Sequence, residues 1–234
     1  MYYYSSNKKE ANFKKKLLLV ALLSVIPFLV IVLITLSGWE NLTKIDYQIS
    51  QFFYSWHDLR LTKIMTIITH LGDIVTQTTI TVGTVVFLFA LKKWRTALWY
   101  GLTVLGGALL LNGAIKEFYA RARPSEIEPL VEIGGYSFPS GHSMGAMIVY
   151  GGLLFLILRF IRSNALKIAV GSLIVLAILS IGVSRVYLAV HFPSDVIGGF
   201  SLGLSWLVIS IALLGLKYTQ TETRGRNRYS LKNL

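Results

Sequence analysis

No cysteine occurs in the chain, which excludes disulfides, thiolate nucleophiles and cysteine-based metal sites and leaves the redox compartment unreadable. Charge is scarce: 15% of the 234 residues are charged against 54% hydrophobic. That balance excludes a disordered chain, and the apolar runs are longer than an ordinary soluble domain carries. Acidic residues are the scarcer sign, 11 against 23 basic, for a net charge of +12. In a soluble protein this excess suggests nucleic acid. Here the basic residues sort by membrane side, so no nucleic-acid partner is expected. Internal repeats and low-complexity linkers are absent. So are acidic clusters and His–carboxylate sets with metal-ligand spacing, and no metal or other cofactor is expected.

What is present is a series of apolar runs. Residues 1–16 are polar and basic (Lys8, Lys9, Lys14, Lys15, Lys16) and read as a frayed cytoplasmic tail. Leu17–Ser37 is apolar over the ~20 residues a span requires. It is too long for a signal peptide, and no small-x-small cleavage site follows it. Further runs at about 74–91, 96–115, 143–161, 166–183 and 196–216 bring the expected spans to six. Between the first two, Ile45, Ile49, Phe52, Phe53 and Trp56, then Leu61, Ile64, Met65, Ile68 and Leu71, recur at helical spacing among polar residues. They read as interfacial amphipathic helices within about 40–73. His57 and His70 fall there with no metal signature and no assigned role. Asn41-Leu42-Thr43 fits a glycosylation sequon, which matters only in a secretory pathway. The expected fold is an all-α polytopic membrane protein: a six-helix domain over 17–216, outer interfacial helices, and basic tails 1–16 and 217–234.

Sixteen of the 23 basic residues lie in the two tails, between spans two and three (Lys92, Lys93, Arg95), or between spans four and five (Arg159, Arg162, Lys167). The positive-inside rule places those segments, and both termini, in the cytoplasm. The other seven, Lys44, Arg60, Lys63, Lys116, Arg121, Arg123 and Arg185, fall outside, and so do all acidic residues except Glu10 and Glu222. Gly199 and Gly203, four apart in the sixth span, suit close helix packing.

Chemistry-bearing residues concentrate in the outer loops. Lys116 and Arg123-Pro124 close the third span, Phe138-Pro139-Ser140-Gly141-His142 opens the fourth, and Ser184, Arg185, His191 and Asp195 lie between the fifth and sixth. Ionisable groups at a hydrocarbon boundary cost on the order of 2.5–3.5 kcal/mol each by insertion scales. The step from His191 to Asp195 lets a carboxylate hold one imidazole nitrogen and leave the other as a nucleophile. It fits equally a structural pair capping a helix that Pro193 and Ser194 open. Lys116, Arg123 and Arg185 suit a group with several anionic oxygens, which points to phosphate, although each alone fits snorkelling to headgroups. Ser140-Gly141 at a helix start adds backbone N–H groups to a phosphate site, and also reads as a plain N-cap. His142 alone reads as an interfacial histidine. Their joint occurrence on one side favours a phosphate site.

These residues resemble the type 2 phosphatidic acid phosphatase family, the lipid phosphate phosphatases. Its three motifs read here as Lys116-x6-Arg123-Pro124, Pro139-Ser140-Gly141-His142 and Ser184-Arg185-x5-His191-x3-Asp195, complete and in order over roughly residues 40–216. Arg121 and the acidic loop 125–132 are not motif positions. The resemblance implies that His191 takes the phosphoryl group, Asp195 orients it, and His142 protonates the leaving group and then activates water. It further implies that Lys116, Arg123, Ser140, Gly141 and Arg185 hold the phosphate oxygens, by a metal-independent, phosphohistidine route.

Vanadium-dependent haloperoxidases and soluble acid phosphatases share such residues, but six spans and an interfacial site argue for a lipid. The alternative class is a phospholipid transporter or binding protein without turnover. It would not need both histidines, and it lacks the Gly/Pro helix breaks of a transporter midplane. The expected partners are a phosphorylated membrane lipid and the bilayer; oligomeric state is not legible. The expected setting is the plasma membrane with the site on the extracytoplasmic face. Undecaprenyl pyrophosphate, phosphatidylglycerophosphate and phosphatidic acid all present a terminal phosphate at that depth. Compact length suggests a bacterial chain and hence the first of them.

Overall fold

The computed structural model describes residues 2–36, 38–132 and 134–215; the expected tail 217–234 lies outside them. All regular structure among the described residues is helical. The order is α1 (Tyr2–Thr35), α2 (Glu40–Tyr54), α3 (Leu59–His70), α4 (Ile74–Ala90) and α5 (Trp94–Val104). A π-helical stretch, Leu105–Leu111, then leads into α6 (Asn112–Tyr119). After them come α7 (Gly141–Ile157), α8 (Asn164–Tyr187) and α9 (Pro193–Ser210), which ends in a second π-helical turn, Ile211–Gly215. The basic stretch expected to fray instead continues α1 back to Tyr2. Lys, Glu and Ala are good helix formers, and extending an existing helix is cheap compared with starting one.

Four helical segments are long and apolar enough to cross a membrane: Asn12–Thr35, Trp94–Tyr119, Asn164–Tyr187 and Pro193–Leu213. A fifth is counted if α3 and α4, which meet at a 40° bend, form one broken span. The expected runs at 74–91 and 143–161 are present as α4 and α7, each of 17 residues. At ~1.5 Å rise per residue, each is ~26 Å long, a little short of a ~30 Å hydrocarbon layer.

Helix α9 is the central post, packed on α1 and α7. Pro27 lies inside α1 and removes one donor from its ladder. Ser201 of α9 enters there: its hydroxyl accepts from Phe28 N at 3.0 Å and donates to the Ser24 carbonyl at 2.5 Å. One turn along, Ser205 donates to the Ala21 carbonyl at 3.1 Å. Such side-chain bonds are how membrane helices satisfy a proline-broken ladder. On the α7 side the expected small-residue contact is present. A methyl on Gly199 would stand 2.7 Å from the Ser140 carbonyl oxygen, and one on Gly203 2.9 Å from that of Met144. Where α5 loosens into the π-helical stretch, Trp206 Nε1 donates to the Thr103 carbonyl at 2.9 Å, so the altered winding leaves that group paired.

Helix α2 shows two faces. Ile45 and Phe52, with Trp56 just past the helix end, are exposed, whereas Leu42, Asp46 and Ser50, spaced by four, are buried against the protein. Helix α3 packs on α8, where Leu61 and Met65 meet Tyr187, Leu188 and Val190.

Candidate active site

The three motif segments meet at one end of the bundle. Helix α6 carries Lys116 in its last turn and stops at Tyr119, because Ala120 turns left-handed (φ 43°), and the loop that follows folds back over α9. Its returning leg is tied by Ser137 N to the Arg121 carbonyl at 2.8 Å and by Ser140 N to the Asp195 carbonyl at 2.9 Å. Ser140 then caps α7, its hydroxyl accepting from Ser143 N at 3.4 Å. Helix α8 ends in a tight wrap in which Val190 N and His191 N both reach the Arg185 carbonyl. Pro193 opens α9, and the Asp195 carboxylate accepts from Phe192 N at 2.8 Å.

His191 is 2% exposed. Arg123 Nη1 approaches its Nε2 at 3.2 Å. A guanidinium can only donate, so Nε2 must be the unprotonated nitrogen and Nδ1 carries the hydrogen. Nδ1 faces the Asp195 carboxylate at 3.5 Å and the Ser137 hydroxyl at 3.4 Å. The expected His191–Asp195 pair is thus present but loose, with Ser137 donating to the same carboxylate oxygen. Burial pushes the His191 imidazole down to about 3; the Asp195 carboxylate opposes this, and the Arg123 and Arg185 cations add to it.

Asp195 is fully buried. Its Oδ2 receives Ser137 and Phe192 N, and its Oδ1 receives Arg121 Nη1 at 2.6 Å. The other arm of Arg121 reaches Asp46 Oδ2 of α2 at 2.7 Å. Asp46 also accepts from Ser194 N at 2.9 Å and from the Ser194 hydroxyl.

Two of the other cations, Arg123 and Lys116, are held by backbone carbonyls. Arg123 donates to the carbonyls of Gly134, Gly135, Tyr136 and Val190. Lys116 Nζ donates to those of Tyr136 at 2.5 Å and Ser137 at 3.3 Å. A methyl on Gly141 would lie 3.9 Å from Lys116 Cε, which places the first motif beside the second. Arg185 donates to Thr69 Oγ1 at 2.6 Å, while its Nε and Nη2 are buried without a partner. Unpaired buried donors are rare and call for an acceptor. Ser140, by contrast, is fully buried with its N–H already bonded.

His142 has a carboxylate of its own. Its Nε2 meets Asp73 Oδ1 at 2.8 Å, and Asp73 Oδ2 meets His70 Nδ1 at 2.6 Å. His142 and Asp73 stand with Asn112 at one end of a cavity of about 530 Å³. From there it runs between α4 and the continuous helix Trp94–Tyr119 along Thr81, Val82 and Leu105. Among the described residues, no group of three or more His, Asp or Glu side chains is arranged so that it could hold a metal ion.

Asp73, Asp46, Ser137 and Arg121 carry roles in this geometry that the motifs do not announce. For Asp46 a signal existed, since it lies on one stripe with Leu42 and Ser50. For Arg121 the signal was a non-motif arginine between two motif cations. Asp73 begins an apolar run as a helix N-cap would, which concealed it, and Ser137 carried no signal.

The profile of the PAP2 superfamily matches residues 96–218. Phosphatidylglycerophosphatase B of Bacillus subtilis (strain 168) is 41% identical over 151 residues, covering 62% of this chain and 70% of that protein. A lipid A 4'-phosphatase of Bacteroides thetaiotaomicron is 31% identical over 135 residues, covering 51% of this chain and 56% of that protein. Among solved structures, a transmembrane PAP2-type phosphatidylglycerolphosphate phosphatase from Bacillus subtilis superposes with a TM-score of 0.70 at 33% identity. It covers 81% of this chain and 93% of that one.

Proposed function

Because the chain belongs to the PAP2 superfamily and is an integral membrane lipid phosphatase, we propose that it removes the terminal phosphate of an outer-leaflet lipid through a phosphohistidine. The observation that carries this reading is the state of His191: Nδ1 on the carboxylate side, and an unprotonated Nε2 facing Arg123. That tautomer is the one a nucleophilic imidazole needs, and a phosphate that draws Arg123 onto its oxygens would free the Nε2 lone pair for attack.

In the first step the Nε2 lone pair forms a P–N bond while the bond from phosphorus to the lipid oxygen breaks. His142, held by Asp73, gives its proton to the departing oxygen. In the second step His142 takes a proton from water, the water oxygen bonds to phosphorus, and the P–N bond breaks to release phosphate. Lys116, Arg123 and Arg185 neutralise the equatorial oxygens, the part of phosphoryl transfer on which catalysis mainly depends. The unpaired Nε and Nη2 of Arg185 supply donors for them. The Gly141 amide and the Ser140 hydroxyl add to the same cradle, since the first amides of α7 have no partner within the helix.

We read the chain as six spans, with α4 and α7 as short ones, α2 and α3 interfacial, and cytoplasmic tails at 1–16 and 217–234. The basic segments 92–95 and 159–167 join the helix ends opposite the site, which favours cytoplasmic termini and an extracytoplasmic site. The cavity between α4 and the third span offers a lipid tail an apolar path alongside His142. The relatives favour phosphatidylglycerophosphate, ahead of the undecaprenyl pyrophosphate that sequence alone ranked first; phosphatidic acid is the third candidate.

The test is phosphate release by the purified protein from each of these three lipids in mixed micelles, with His191→Ala beside it. Turnover of phosphatidylglycerophosphate that vanishes in the variant is the expected result. Lipid binding without turnover would return the protein to the transporter or binding class. Faster turnover of undecaprenyl pyrophosphate would restore that substrate to first place.

A further inference from the structure

The reading above leaves one buried cation without a task. Arg121 is 3% exposed, and its guanidinium is flanked by the Trp39 and Phe192 rings at 4.3 and 4.2 Å. Its two arms end on two buried carboxylates from different helices, Asp195 of α9 and Asp46 of α2. Nη1 also donates to the Ser194 hydroxyl at 2.7 Å. Burying an arginine and two carboxylates is expensive, and hydrophobic residues of similar volume stabilise a core at least as well. Such a triad is therefore poorly explained by stability alone. A planar fork that spans two carboxylates is work that lysine cannot do.

We propose that Arg121, anchored by Asp46, is a positioning residue for phosphoryl transfer: it fixes Asp195 behind His191 and compensates the carboxylate's charge, so that His191 stays unprotonated. This rests on His191 being the nucleophile. Asp195 is crowded on its Oδ2 side by Ser137 and Phe192 N, and Arg121 is the cation on Oδ1. With that cation in place, the carboxylate orients Nδ1–H without drawing a second proton onto the ring. Without it, an uncompensated negative charge would sit 3.5 Å from the buried imidazole. The guanidinium's own geometry is set from outside, since Asp46 is pinned by Ser194 N and the Ser194 hydroxyl. Helix α2 thus reaches the reaction through α9 without touching substrate.

The charged groups around His191 are few. They are Asp195 on α9, Arg121 and Arg123 on the loop, Arg185 on α8, Lys116 on α6 and, behind Arg121, Asp46 on α2. Of these cations, Arg121 is the one paired directly with the Asp195 carboxylate, at 2.6 Å, while Lys116 and Arg123 act on it from further away.

The experiment is the pH dependence of kcat/KM on an aryl phosphate for the wild type, Arg121→Gln, Arg121→Lys and Asp46→Asn. Thermal melting in detergent is recorded for each. Arg121→Gln is expected to move the acid limb up by about one to three pH units, the usual influence of a nearby opposite charge. Asp46→Asn leaves the cation over Asp195 and should not raise the limb. Arg121→Lys keeps a charge but not the fork, and should lower kcat roughly 10–100-fold, as loss of an orienting partner does, with the limb unmoved. A merely structural arginine would lower melting without this charge-dependent split. An unshifted profile in Arg121→Gln overturns the proposal. If that variant does not fold, wild-type kcat in Arg121→Lys overturns it. A wild type without phosphatase activity, or activity surviving in His191→Ala, would instead overturn the reading of the site itself.

Discussion

Gly199→Ala tests whether the contact between α7 and α9 holds the site together. The added methyl would stand 2.7 Å from the Ser140 carbonyl oxygen, 3.1 Å from Ser143 Cβ and 3.2 Å from Met144 N, where ordinary contact begins at 3.4 Å. Two of these neighbours are backbone and cannot rotate away, so the helices must part by about 0.7 Å at the nearest point. Overpacking of this kind costs ~1–3 kcal/mol, and alanine returns up to ~1 kcal/mol of helix propensity. The net loss of ~1–2 kcal/mol should lower the melting temperature by ~2–8 °C. The same displacement acts on chemistry, because Ser140 and His142 ride on α7 while Asp195 begins α9. A misplacement of 1 Å costs ~10²-fold, so kcat/KM should fall by more than tenfold. Gly171→Ala is the matched control: nothing lies within 4 Å of its new methyl, so it should melt at or slightly above the wild type with unchanged turnover. The assay is fluorescence-detected melting in detergent with phosphate release on the same preparations. If Gly199→Ala matches Gly171→Ala in both, the close approach of α7 and α9 is not what sets the site.

His142→Ala should retain much of its first-step rate on an activated aryl phosphate and accumulate acid-labile, base-stable phosphohistidine, because proton transfer contributes ~10²–10⁴-fold mainly where the leaving group needs a proton. Rapid-quench time courses measure this, and bound phosphate in His191→Ala would show the roles reversed. Asp73→Asn should lower turnover of the lipid more than of the aryl phosphate, read as the ratio of the two kcat values. The depressed His191 value, about 3 against an ordinary 6.5, means the unfolded chain binds the extra proton between those limits. Its contribution to stability is whole above pH 6.5 and is lost as pH falls, by up to about 1.4 kcal/mol per pH unit. Denaturation at pH 7 and 5.5 should show that loss in the wild type and a smaller one in His191→Gln. Excess EDTA should leave activity intact and vanadate should inhibit; loss to EDTA that magnesium reverses would overturn the assignment of charge neutralisation to the three cations. An impermeant thiol reagent on intact cells should label Leu130→Cys and spare Asn164→Cys, and the reverse would turn the site to the inner leaflet.

Apolar runs and side-chain types are local properties, and they carried a good part of this protein. Runs of about 20 apolar residues form helices in lipid because no other open structure pairs its backbone there. Hence α1, the apolar stretch Trp94–Tyr119, α8 and α9 were legible, as were the three motifs. The helical nature of 40–73 followed from its periodicity. The face that α2 turns to the protein did not, because a stripe of Ile and Phe announces lipid as readily as it announces a core. The bend between α3 and α4 and the π-helical winding at Leu105–Leu111 depend on what packs beside them, such as Trp206 against Thr103. The His191–Asp195 pair is four residues apart and could be read. Asp73 and His142 are separated by 69 residues, and Asp46 and Arg121 by 75. Nothing in a one-dimensional pattern couples a carboxylate on an amphipathic helix to a cation in a distant loop. Both look like solvated charges until folding removes the water between them, and the energy of such a pair exists only in that dry, three-dimensional contact.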